Sequence, residues 1–399
     1  MRAGVAFGGE SVYLGRRDCD GTPGARRVSI NFLQKQRVAG TSVLLALVLA
    51  ACGGDGGGGT TVVITPPVQP TANEYVNPVL DNDFPDPAVM RSSDGWFYAF
   101  ATQTTSFRVQ VSRSKDLVNW SAVSEALPTR PAWASQSQNF WAPDVIERDG
   151  KYVMYFSTQI DAAQRQRPDH GFCIGMATAA TAAGPYTDSG QPVVCGPSFT
   201  TIDPMAFDDP QTGKRLLFWG SAGSPLVVQE LAADRRSFVP GTTPTPVVQV
   251  RNGGPAGYDQ GLIEGPWVTF ENGFYYLYFS GNSCCGANAR YAVLVARSTS
   301  ATGPYTVLTG PDGAAQPVLQ AGGKWLAPGH NGVIRDAAGV EWMLYHAIDS
   351  SRPFLLPGNT DISRRPLLLD RIRYVNGWPV VGNSTLPTTT PQPRPTALP

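Results

Sequence analysis

The stretch Phe84–Thr102, FPDPAVMRSSDGWFYAFAT, sets an acid beside proline, then a short apolar run, an Asp-Gly turn and an aromatic strand. The same order returns four times, opening at Asp144 (DVIERDGKYVMYFST), Asp203 (DPMAFDDPQTGKRLLFWGS), Glu264 (EGPWVTFENGFYYLYFSG) and His330 (HNGVIRDAAGVEWMLYHA). The intervals are 58 (144 − 86), 59 (203 − 144), 61 (264 − 203) and 66 (330 − 264) residues. Each copy reads as strand, turn, strand. Asp94-Gly95, Asp149-Gly150 and Asn272-Gly273 supply turn dipeptides that reach positive φ easily. One hairpin cannot bury its apolar face, but strand-rich units repeated around an axis can, and no helical period interrupts them. The repeat therefore predicts an all-β, five-bladed β-propeller over residues 77–382 with an active site on the axis.

In such a fold the start of each innermost strand points at the central channel. Asp86, Asp144, Asp203, Glu264 and His330 share that phase, and five ionisable groups in one small space are costly unless paired, hydrated or put to chemical use. Glu264 is flanked by Leu262, Ile263, Pro266 and Trp267, a setting that raises a carboxyl pKa by disfavouring the ion. Asp86, held between two prolines, is the candidate for a standing carboxylate. One protonated acid and one ionised acid are what glycosidic cleavage needs.

Formal net charge is zero, only 16% of residues are charged, and no Lys/Arg cluster stands out, which argues against a nucleic-acid partner. The 10% aromatic content suits strands and sugar-stacking surfaces alike. Residues 1–51 read as a leader. Lys35 and Arg37 precede the apolar run Val38–Leu49, too short for a ~30 Å hydrocarbon core, and Leu49-Ala50-Ala51-Cys52 resembles the lipobox of bacterial lipoproteins. The expectation is an exported lipoprotein, lipidated on Cys52 and facing the periplasm or cell surface. Residues 52–76, rich in Gly, Thr and Pro, form the tether, and the Thr/Pro-rich residues 383–399 are expected to be disordered. Cys173 and Cys195, 22 residues apart (195 − 173), either close a loop worth roughly 3 kcal/mol or remain two buried thiols. The redox state of the adjacent pair Cys284-Cys285 is left open.

The segments NPVLDNDFPDPAV, FWAPDV, TIDPMAF, LIEGPWV, PGHNGV and RRPLLLDRIRYVNGWPVV, in that order and spacing, resemble glycoside hydrolase family 43. That resemblance implies a five-bladed propeller that cleaves arabinose- or xylose-containing polysaccharide with inversion. It implies Asp86 as general base, Glu264 as general acid, and Asp203 as the auxiliary acid that orients Glu264 and tunes it. It places His330 at an axial site for calcium or a water cluster, and Trp141 in the wall of the sugar pocket. Phe84, Asp144 and Trp219 are further candidate sugar contacts. Ser283-Cys284-Cys285-Gly286, Gly303-Pro304-Tyr305 and Gly322-Gly323 resemble arabinan-cleaving members, whose α-L-arabinofuranosidic substrate is plant cell-wall polysaccharide. FPDP in place of a histidine before DP, and Gly265-Pro266 in place of Ala-Pro, depart from the endo-arabinanase pattern and leave endo and exo action both open. A β-xylosidase, a retaining fructan hydrolase and a non-catalytic surface glycan-binding propeller are the alternatives. The protein is expected to act as a monomer.

Overall fold

A computed structural model describes residues 69–136, 139–161, 171–356 and 358–399; the leader and the lipidation site at Cys52 lie outside them. The described secondary structure is strand and turn without helix. Five antiparallel sheets follow one another along the chain. Blade I consists of Ala88–Arg91, Phe97–Ala101, Gln110–Ser114 and Ser124–Glu125. Blade II has Trp141–Arg148, Lys151–Gln159, Phe172–Ala179 and Val194–Gly196, with the short Thr187–Asp188 also paired to its third strand. Blade III has Met205–Asp208, Arg215–Trp219, Leu226–Glu230 and Thr245–Val248. Blade IV has Ile263–Glu271, Phe274–Gly281, Ala292–Ser298 and Thr306–Val307; blade V has Trp325–Arg335, Glu341–Asp349, Leu367–Val375 and Trp378–Val381. Four blades are thus four-stranded meanders of the kind the repeat predicts, and blade II is the same with one short added strand.

Turn chemistry sets the hairpins. Asp149-Gly150 and Asn272-Gly273 carry two successive positive φ values (52° and 70°; 51° and 81°), as a two-residue turn that follows strand twist requires, and Asn376-Gly377 does the same in blade V. Aromatic residues of the second strands fill the space between blades: Phe97, Phe218, Tyr278 and Tyr345 are fully buried in one continuous core.

The innermost strands all begin with the same distortion. Asp86, Ala142, Asp203, Gly265 and His330 have φ of 54°, 41°, 61°, 61° and 45°, and the ladder shifts register beside them in blades II, IV and V. Four of these N–H groups donate to the side chain that ends the second strand of the preceding blade: Ala142 to Thr102 Oγ1 (2.9 Å), Asp203 to Ser157 Oγ (2.9 Å), His330 to Ser280 Oγ (2.8 Å) and Asp86 to His346 Nδ1 (3.0 Å). In blade III that strand-end position is Gly220, which has no side chain to offer, and the N–H of Gly265 goes instead to Asp203 Oδ2 at 3.1 Å. Left-handed backbone at non-glycine residues is strained and persists only where neighbours over-determine it; here the inter-blade bonds do so.

Residues 383–399 correct the expectation of a disordered tail. Gln392–Pro393 pair with Glu74–Tyr75, Thr388 Oγ1 donates to buried Asp370 (2.6 Å), and Leu398 N donates to Lys115 O (2.7 Å). Ahead of blade I, Asn77 exchanges two hydrogen bonds with the backbone of Leu369 (3.0 and 2.9 Å). Residues 74–77 and 388–398 therefore close the ring between blades V and I, which supplies partners that a Thr/Pro composition alone does not reveal. The four cysteines among the described residues form two disulfides, Cys173–Cys195 across the third and fourth strands of blade II and Cys284–Cys285 between adjacent residues.

Candidate active site

A cavity of about 1010 Å³ opens at the end of the axis where these five distorted strand starts meet. Asp86, Asp203, Glu264, His330 and Trp141 all line it. Phe84, Asp144 and Trp219 do not. Phe84 is fully buried in the core behind Asp86. Trp219 stacks on Phe238 (centroids 5.5 Å apart) between sheets. Asp144 stands two residues beyond Ala142, the true equivalent of Asp86 in blade II. Its Oδ2 accepts the Ala206 N–H at 2.7 Å and so ties blade II to blade III. Burial pushes its carboxyl up to about 7, against the pull of the Ala206 and Val145 N–H groups. Period counting placed the phase of blade II two residues late because Ala-Pro-Asp and Asp-Pro-Ala read alike as an acid beside proline.

The three acids of the cavity are held differently. Asp86 Oδ1 accepts from Arg365 Nη1 at 3.0 Å and Oδ2 from Thr102 Oγ1 at 2.6 Å. Burial alone would raise its pKa, but the Arg365 guanidinium beside it, with the Thr102 hydroxyl, holds the carboxyl well below the usual carboxylate range. Glu264 has no such cation in contact. Ser221 Oγ lies 2.6 Å from Oε2 and Tyr291 OH 2.6 Å from Oε1. Burial raises its pKa, and the two hydroxyls only partly oppose this. Asp203 is raised further, by burial and then by the negative charges of Glu264 and Asp86. The cavity thus favours one standing anion at Asp86 and a proton on the Asp203–Glu264 pair. Through its bond to Gly265 N, Asp203 also fixes the backbone directly after Glu264. Gly265 takes φ 61° without strain, and a Cβ there would lie 3.1 Å from the His330 ring, close enough that the ring would have to shift.

His330 Nδ1 is 3.8 Å from both Asp86 Oδ1 and Asp203 Oδ2. Burial lowers its pKa, which favours the neutral imidazole. Beside it in the chain, buried Asn331 has no hydrogen-bond partner for either amide atom among the described residues. No group of three or more His, Cys, Asp or Glu side chains among the described residues is arranged to hold a metal ion. A neutral imidazole at the cavity wall fits a hydrated cation or a water cluster with one protein nitrogen as ligand, not a cage of carboxylates.

Residues that residue-by-residue reading missed complete the site. His346, fully buried, accepts the Asp86 N–H and stacks on Tyr291 (5.8 Å), and burial drives its pKa well down, in keeping with an accepting Nδ1. Thr102, Ser157, Ser280 and His346 occupy one repeat position, the polar residue that ends each aromatic second strand, and that recurrence was readable in YAFAT, YFST, YFSG and LYHA. Arg365 and Tyr291 come from third strands or their approaches, outside the repeated hairpin. On the blade II side, Trp141 stacks on Phe172 (4.5 Å) and lies 6.0 Å from Phe199, which is 46% exposed at the rim.

The chain is 28% identical over 314 residues to the extracellular endo-α-(1→5)-L-arabinanase 1 of Bacillus subtilis, covering 74% of this chain and 86% of that protein. It is 26% identical over 323 residues to an extracellular exo-α-(1→5)-L-arabinofuranosidase of Cellvibrio japonicus, covering 76% and 88%. Among solved structures, an exo-1,5-α-L-arabinanase from a bovine ruminal metagenomic library superposes with a TM-score of 0.60 at 26% identity, covering 79% of this chain and all of that one. A thermostable family-43 glycoside hydrolase superposes with a TM-score of 0.66 at 24% identity, covering 81% and 99%. The family model "Glycosyl hydrolases family 43" matches residues 75–379, all of the propeller but the end of its last strand, and the chain belongs to that family of glycoside hydrolases.

Proposed function

We propose that this enzyme hydrolyses α-L-arabinofuranosidic bonds of arabinan, or of arabinose-containing plant polysaccharide, by single displacement with inversion. The observation that carries the reading is the opposite treatment of two buried carboxyls in one cavity, Asp86 held as an anion and Glu264 held toward its acid form. Inversion needs that division: a base to take a proton from water and an acid to give one to the leaving oxygen. Asp86 is the base. Its two oxygens are oriented by Arg365 and Thr102, and taking a proton from water generates the nucleophile. Glu264 is the acid, aimed by Ser221 and Tyr291, and Asp203 shares the proton of the pair and fixes the backbone beside Glu264 through its grip on Gly265. Arabinan is favoured over xylan because relatives acting on α-1,5-linked arabinose cover most of the propeller.

His330 would hold a hydrated calcium ion, and such an ion supplies positive charge to the axis. Removal by a chelator is expected to lower the melting temperature or activity and added calcium to restore it; indifference to both, with no metal on elemental analysis, removes the ion from the account. Export and anchoring through a lipid on Cys52 are tested by palmitate-analogue labelling, which a Cys52→Ser variant must lose. The enzymatic reading is decided by incubating the protein with debranched arabinan, branched arabinan and xylan and following the newly formed anomeric centre by NMR. Release from arabinan with an inverted anomer first is the expected result. Retained stereochemistry makes Asp86 a nucleophile, release only from xylan changes the substrate, and no release from any polysaccharide leaves a binding propeller.

A further inference from the structure

The acid–base chemistry makes no use of the Cys284–Cys285 disulfide, yet both residues line the cavity. They sit on the loop that follows the second strand of blade IV, and that loop is held as a unit. Asn282 N donates to Leu262 O (3.1 Å), Arg290 N to Ser283 O (2.8 Å), and Gly286 N to Ser363 Oγ (2.9 Å) on the segment leading into the third strand of blade V. Ser363 and the exposed Leu355 and Ile362 of that segment line the same cavity. A disulfide between neighbouring residues leaves two sulfurs side by side on a stiff backbone with no S–H to donate. Such a surface is apolar and polarisable, and divalent sulfur packs well against apolar groups. It cannot serve a sugar hydroxyl as a donor, but it matches the C–H face of a furanose ring.

We propose that the Cys284–Cys285 disulfide is a substrate-contacting wall that takes the C–H face of an arabinofuranosyl unit away from the bond being cleaved. The inference rests on the arabinan reading above. It makes the disulfide a determinant of affinity for longer chains, distinct from the acid, the base and the residues that hold them. The rival role is indirect. Cys284 also packs in a small cluster with Tyr291, Ala327 and Ile348, and Tyr291 carries the hydrogen bond to Glu264. A disulfide that only supports Tyr291 would act on turnover and on its pH dependence; a contact wall acts on binding.

The test compares the full chain with its Cys284→Ala/Cys285→Ala variant on linear arabino-oligosaccharides of two to six units and on a small aryl α-L-arabinofuranoside. Losing the sulfur surface is expected to raise KM for the longest oligosaccharide by about three- to tenfold, the scale of one modest apolar contact. Both kcat and hydrolysis of the aryl arabinoside are expected to stay level. Unchanged KM overturns the proposal, and so does a fall in kcat accompanied by a shift of the alkaline limb of the pH profile, which assigns the disulfide to Tyr291. If the variant melts early, the wild-type chain is assayed before and after opening the bond with a phosphine reductant. The Cys173→Ala/Cys195→Ala protein is treated alongside, and a KM rise in both chains supports the wall, while a rise absent from the second chain overturns it. A wild-type chain inactive on every arabino-oligosaccharide fails the substrate reading and this inference with it. An active wild type with an indifferent variant fails this inference alone.

Discussion

Asp86 and Glu264 open equivalent strands of blades I and IV and face one cavity, and burial works on both in the same direction. What differs is the chemistry of their partners. Asp86 is met by a guanidinium, a hydroxyl and, at its N–H, an imidazole nitrogen; Glu264 is met by two hydroxyls and shares its surroundings with a second acid. Depth therefore does not assign protonation here; the charge of the neighbour does. The scaffold beneath is the same in both blades, so the propeller supplies position and a few side chains from other strands supply the difference in proton affinity.

Removing either member should collapse the comparison. Asp86→Asn and Glu264→Gln are each expected to lower kcat by about 10²–10⁴-fold or more, with the fold intact by circular dichroism, because acid and base catalysis each contribute on that scale. Asp203→Asn is expected to cost activity as well. It retains an oxygen for Gly265 N but removes the second carboxyl of a pair that shares one proton, leaving Glu264 to titrate alone, so the alkaline limb of kcat/KM moves to lower pH. Near-wild-type turnover in any of the three variants removes that residue from its role.

Exchanging the cation for an apolar side chain should make the two acids more alike. In Arg365→Met, Asp86 loses the charge that holds it down, and its pKa is expected to rise by about 1–3 units. The base must be ionised to act, so the acid limb of kcat/KM moves to higher pH by that amount. Arg365 also opposes the upward shifts of Asp203 and Glu264, so the alkaline limb should follow upward by less. An acid limb that stays in place would mean that Arg365 does not set the ionisation of Asp86.

Much of this arrangement was legible before any coordinates. The period, the Asp-Gly and Asn-Gly turns and the aromatic second strands specify the blades, because each hairpin repeats one local code. Asp86, Asp203 and His330 reach the cavity as their phase suggests, Glu264 reaches it one residue ahead of that phase, and Trp141 lines it as the family resemblance implies. The failures have three physical origins. Where a blade carries a different residue at the distorted position, as with Ala142 in blade II and Gly265 in blade IV, counting from acid to acid slides the register, and Asp144 is mistaken for an axial group. Where a partner lies outside the hairpin, as with Arg365 and Tyr291, it comes from a strand of lower repetition and the period carries no sign of it. The tail failed for a third reason: composition describes what a segment can do alone, whereas Thr388 is held by Asn77 and Leu398 by Lys115, groups far away in the chain.

The finest adjustment of the comparison lies in the two hydroxyls on Glu264. Both lower its pKa against the effect of burial, so removing either should raise it. A hydrogen bond to a charged group contributes about 1.5–3 kcal/mol and one pKa unit corresponds to about 1.4 kcal/mol, so Tyr291→Phe is expected to move the alkaline limb of kcat/KM up by about one unit. Because the acid must be protonated to act, activity in Tyr291→Phe should extend to higher pH even if its maximum falls from poorer aim. Ser221→Ala should move the limb in the same direction. Neither variant should move the acid limb, since neither hydroxyl touches Asp86. A downward move of the alkaline limb in both would mean that the hydroxyls stabilise the protonated acid by accepting its proton, reversing the sign assigned to them here while leaving Glu264 as the donor.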